Sequence, residues 1–162
     1  MKRMISIVLA FCLLLPLLGC DEEQDNILFY YARKEILYGQ EDAVIASEIR
    51  EAIGHEDDLT YLLMLYLEGP HSQALTAPFP SGTVLEDIEA KEDQLTVILS
   101  NEFQALQGID YTIACTCIAY TCFANSDYAS VTIRSTAQDA SGITLTRDNV
   151  ALEDTSAVTA PN

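Results

Sequence analysis

Polar and apolar positions alternate along several short stretches of the chain and recur at helical spacing along two others. Ile27-Leu28-Phe29-Tyr30-Tyr31 is a short apolar, aromatic run with the composition of a strand. Neighbouring residues on a strand point to opposite faces, so one of Tyr30 and Tyr31 is expected to be the more exposed. Val44 to Ile49 predicts a second, weaker strand. Leu59, Leu62, Leu63, Tyr66 and Leu67 then follow at helical spacing. Asp57 or Asp58 can cap that helix, because a carboxylate there accepts orphan amide hydrogens. Gly69 and Pro70 end it: glycine tolerates a left-handed turn and proline cannot continue the ladder. Past the loop 71–83, Val84, Ile88 and Ala90 mark one face of an extended run, and Leu95, Val97 and Leu99 mark one face of another. The polar break Lys91-Glu92-Asp93 between them has hairpin length.

From Asp110 to Ala124 two signals compete. Thr112, Ile113, Thr116, Ile118 and Thr121 are β-branched and poor helix formers. The segment nevertheless runs without Gly or Pro for longer than most strands. Tyr111, Ala114, Cys115, Ile118 and Cys122 line up on one helical face, which predicts a helix. Val131-Thr132-Ile133 and Ile143-Thr144-Leu145 predict a strand pair joined by a turn near Ser141-Gly142. The order helix, strand, strand, helix, strand, with extra extended pieces on either side, predicts an α+β domain. In it two helices pack in two layers against a small β-sheet.

The first twenty residues carry a different pattern. Lys2 and Arg3 precede an apolar run from Met4 to Leu18 that is shorter than a bilayer span and interrupted by Pro16. The run ends in Leu17-Leu18-Gly19-Cys20, which resembles the lipobox of bacterial lipoproteins, with Leu18 standing where a smaller residue is usual. The resemblance implies removal of residues 1–19 and attachment of lipid to the sulfur of Cys20. Each buried CH2 group of such a lipid contributes about 0.8 kcal/mol, and two or more chains make the anchoring stable. Residues 20–26 then form an acidic tether, residues 27–150 the folded domain, and residues 151–162 a disordered tail. The expected location is the extracytoplasmic face of the cell membrane.

The whole chain has 8 basic and 25 acidic residues. Loss of residues 1–19 removes only Lys2 and Arg3, leaving a formal charge of −19. A chain of that charge lacks the clustered Lys and Arg that nucleic-acid binding requires. Solubility, a basic partner and a divalent cation are compatible with it. Cys115, Cys117 and Cys122 are predicted to be small buried side chains on one helix. Cys115 and Cys122 share a face about 10 Å apart along the axis, too far for a disulfide. Cys117, on the other side, leaves a bridge between two copies open. His55-Glu56-Asp57-Asp58 lacks the spacing and glycine of a calcium loop. No metal ligands, catalytic residues or cofactor site are assigned.

Tyr61, Met64 and Leu65 lie opposite the core stripe of the first helix. They are either an apolar partner-binding face or a surface covered by the loop 71–83 through Leu75 and Phe79.

The sequence also resembles the GerMN domain of sporulation and germination lipoproteins. The likeness covers residues 27–150. It rests on Leu67-Glu68-Gly69-Pro70, on Pro80-Ser81-Gly82-Thr83, on Val97 to Phe103, on a helix through Thr121, and on Ala129 to Ile133. The chain departs from the family pattern at Tyr120-Thr121-Cys122-Phe123 and in holding one such domain rather than two. The resemblance implies a ring-building-type fold and a non-enzymatic role at the envelope, including sporulation and germination. An envelope protein, or a second copy of the chain, would be the partner. Ligand or cation binding by the carboxylates near Asp57 and Glu86 is the alternative, and an envelope hydrolase using His55 or His71 has the least support.

Overall fold

The computed structural model describes residues 26–35, 44–51, 54–137 and 142–150. The predicted signal segment, Cys20, residues 21–25 of its tether and the tail 151–162 lie outside the described residues, whereas Asn26, assigned to the tether, begins the first strand. Strand β1 (Asn26–Arg33) pairs antiparallel with β2 (Ile45–Glu51) and, at its end, with the short β3 (Leu75–Thr76), giving a sheet of order β2-β1-β3. Helix α1 (Leu59–Leu67) lies between β2 and β3 in the chain. A second sheet has the order β4-β5-β6-β7, from β4 (Leu85–Lys91), β5 (Gln94–Leu99), β6 (Ser130–Ser135) and β7 (Ile143–Thr146). Strands β5 and β6 are parallel, and the connection between them runs through a 3-10 turn (Asn101–Ala105) and helix α2 (Gly108–Ala124). The class is α+β, as expected, but the strands divide between two sheets where the sequence suggested one.

One core joins both sheets and both helices. Phe29 and Tyr31 meet Leu62, Leu63 and Tyr66 of α1, Cys115, Ile118 and Cys122 of α2, and Leu95, Val97, Leu99, Val131 and Ile133 of the larger sheet. A smaller cluster on the other face of β1 gathers Tyr30, Cys117 and Tyr120, with the two tyrosine rings 5.3 Å apart. Tyr30 and Tyr31 are therefore both buried, contrary to expectation, because α2 carries side chains to the second face of β1.

The β-branched residues of α2 have specific partners. Thr112 and Thr116 donate their hydroxyls to the carbonyls four residues back, at 3.2 and 2.8 Å. Thr121 Oγ1 accepts the Tyr30 amide at 3.0 Å, and Asn125 accepts from Leu28 N and donates to Leu28 O. One turn apart on α2, Thr121 and Asn125 thus satisfy the edge of β1 where no strand pairs with it.

In β4 the register shifts between Leu85 and Asp87. This bulge brings Leu85 onto the core side with Ile88 and leaves Val84 exposed, so the predicted face Val84, Ile88, Ala90 loses Val84; Ala90 keeps the side of Ile88 but is exposed in the cleft beside Leu95.

Candidate functional site

Helix α1 is apolar at every position except Thr60. Asp58 caps its first turn, with Oδ1 accepting the Tyr61 amide at 3.0 Å. At its other end Gly69, at φ +97°, donates its amide to Tyr66 O. A buried ion pair fastens this end to β2. Arg50 Nε donates to Glu48 Oε1 at 2.6 Å, and Arg50 Nη2 donates to Gly69 O at 2.5 Å. Glu48 in turn accepts the His71 amide at 3.1 Å and the Ser72 amide at 2.7 Å. Burial raises the Glu48 pKa, but the two amides and the guanidinium outweigh it and hold the carboxyl below the usual glutamate range. The clasp fixes the rotation of α1, and with it which side chains face outward.

Tyr61 and Met64 do face outward. Tyr61 stacks on His55 with ring centroids 4.2 Å apart, and Met64 is 59% exposed. Leu65 does not join them: it is half-buried against the main core, and its carbonyl accepts from Arg50. The reason is geometric. Leu65 is adjacent to the buried Tyr66 and three residues from the buried Leu62, so it sits at the margin of the stripe rather than opposite it. The loop 71–83 does not cover Met64 either. Its Leu75 and Phe79 enter the core, Phe79 packing edge-on to Tyr66 at 5.3 Å. In place of Leu65, Val84 completes the surface at 52% exposure. Met64, Leu67, Glu68, Thr83, Val84 and Leu85 line a groove of about 200 Å³. Sequence reasoning missed Val84 because it assigned that residue to the inward face of a regular strand.

A second cleft, about 590 Å³, opens at the other end of α1, between residues 54–60 and Ile88, Ala90, Leu95 and Tyr128. Its ionisable wall is Glu56, Asp57, Asp58 and His55. Among the described residues, no group of three or more His, Cys, Asp or Glu side chains is placed to hold a metal ion. The three helix cysteines are free and buried. Burial pushes the Cys115 thiol up to about 11 and the Cys122 thiol up to about 12, and raises Cys117 further. Burial of Cys117 against Tyr30 and Tyr120 rules out a bridge between folded copies.

Comparison with known families matches residues 28–136 to the family model Germane, described by sporulation and spore germination. The chain belongs to the Germane family. Among solved structures, this Germane chain is similar to the tandem GerMN domains of the sporulation protein GerM from Bacillus subtilis, at 19% identity and a TM-score of 0.50. The match covers 70% of this chain and 39% of that one. The chain thus spans well under half of the tandem protein. It is also similar to a Clostridium perfringens protein assigned as a lipoprotein, at 16% identity and a TM-score of 0.49, over 76% of this chain and 89% of that one. No curated protein matches the sequence.

Proposed function

We propose that this Germane chain is a lipid-anchored assembly module on the extracytoplasmic face of the cell membrane, acting in sporulation or spore germination by binding another protein rather than by catalysis. The observation that carries this reading is the family match over residues 28–136, which spans both helices and most of the core. Two features support it further. The sequence Leu17-Leu18-Gly19-Cys20 followed by Asp21, Glu22, Glu23 and Asp25 suits a lipidated cysteine on a hydrated tether. The folded part also leaves Tyr61 and Met64 of α1 exposed, an apolar helix face suited to a protein contact.

The test has two arms. Mass spectrometry of the membrane fraction should find diacylglycerol on Cys20, and Cys20→Ser should release the chain from the membrane. Deletion of the gene should lower the yield of heat-resistant spores or delay their germination, with the Cys20→Ser chain failing to restore it. An unmodified Cys20 sinks the anchor, and a deletion strain indistinguishable from its parent sinks the role.

A further inference from the structure

We propose that the surface shared by α1 and β4 docks an extended, basic segment of a partner protein, with an apolar anchor of that segment seated in the groove between Met64 and Val84. The inference rests on the assembly-module reading and adds the place and the chemistry of the contact.

A helix that is apolar all round belongs inside a protein. Helix α1 has that composition, yet its Tyr61–Met64 side is open, and the loop long enough to cover it goes into the core instead. Three occupants could close the groove, and charge separates them. Glu68 forms part of the wall, Glu86 is exposed beside Leu85, and the cleft at the helix start is walled by Glu56, Asp57 and Asp58. A second copy would set these carboxylates against themselves, and anionic lipid headgroups would meet the same repulsion. A cationic protein segment is drawn to both ends of the helix.

The mode of binding follows from the strand beside the groove. The edge of β4 carries the bulge, and the Ile88 amide is taken by Asp87 Oδ1 at 2.8 Å. Strand addition is therefore blunted, and the segment docks through side chains. From Asp58 to Leu67, the far wall of the groove, the helix rises about 13 Å, roughly four residues of extended chain. An apolar anchor at the Met64–Val84 groove thus places a Lys or Arg about four positions away beside Asp57 and Asp58.

The test uses the full-length lipidated chain in nanodiscs and fluorescein-labelled nonapeptides carrying one Leu and, four positions from it, Arg. Control peptides replace Arg by Glu or Leu by Ala. Fluorescence anisotropy should show the Leu–Arg peptide binding roughly tenfold tighter than either control, and more weakly as salt is raised. The advantage should vanish in Met64→Asp with Val84→Asp and shrink in Asp57→Lys, both variants folded by circular dichroism. A photo-crosslinker at position 64 in living cells should capture a cationic segment of another protein. Equal binding of the three peptides, no binding, or a crosslink only to a second copy overturns the proposal. Peptide binding in a chain whose deletion leaves sporulation and germination unchanged would sink the assembly role and leave the docking surface standing. The converse, a deletion phenotype without peptide selectivity, would sink the surface alone.

Discussion

Replacing Arg50 by Met should remove a large share of the stability of this domain. The side chains of Arg50 and Glu48 are 6% and 0% exposed, and they lie 2.6 Å apart. Arg50→Met keeps most of the aliphatic volume but leaves the Glu48 carboxylate without its cation. It also strips the Gly69 and Leu65 carbonyls of a donor at the negative end of α1. The guanidinium sits 5.0 Å from the centre of the Phe29 ring, a contact that is lost as well. Breaking a buried pair from one side costs about 3–5 kcal/mol, against a total of roughly 5–15 kcal/mol for a typical domain. At roughly 4 °C per kcal/mol, the melting temperature should fall by about 12–20 °C. Urea unfolding of Arg50→Met, Glu48→Gln and the double variant completes a cycle whose coupling should exceed about 1.5 kcal/mol, because removing both charges leaves neither uncompensated. The pH dependence carries the same signature. The folded pKa of Glu48 is depressed, so its contribution is fully present above the ordinary glutamate range and is lost as pH falls through the folded value. Glu48→Gln should flatten that acid limb. A cost for Arg50→Met below about 1 kcal/mol, or coupling near zero, would refute the view that the clasp holds α1 in place.

Three further outcomes are expected. Gly142→Ala should destabilise by about 1–3 kcal/mol in thermal unfolding, since a Cβ there would sit 2.3 Å from Ile133 O where β7 joins β6; an unchanged melting temperature would show that the turn yields freely. Thr121→Val should cost about 1–3 kcal/mol by orphaning the buried Tyr30 amide, and hydrogen exchange at Tyr30 should accelerate; unchanged protection would remove Thr121 from its role at the edge of β1. Cys115, Cys117 and Cys122 should resist a thiol reagent in the native protein at pH 8 and react together on unfolding; rapid labelling of any one would contradict their burial.

Much of this domain was legible along the chain. The stripe Leu62, Leu63, Tyr66 and the cap–stop pair Asp58 and Gly69 located α1 at its observed ends, because capping and helical periodicity are local properties. The stripe Ala114, Cys115, Ile118, Cys122 outweighed the β-branched residues of α2, whose threonines bond to the preceding turn or to β1. The aligned Leu95, Val97, Leu99 gave β5 its inward face, since alternation along one strand has period two whatever lies across from it.

What depended on contacts between distant residues could not be read this way. A bulge in β4 is set by how two strands pair, so Val84 gave no sign of turning outward. The burial of both Tyr30 and Tyr31 required knowing that α2 covers the second face of β1. Nothing in the weak strand predicted from Val44 to Ile49 marked Glu48 or the neighbouring Arg50 for burial, because the turn after α1 that closes over them lies far along the chain. Sequence alone determined which main elements form, roughly where they lie, and the inward stripes of both helices and of β5. The tertiary structure decided which of those sides stay open, because exposure depends on which neighbour arrives to cover a face.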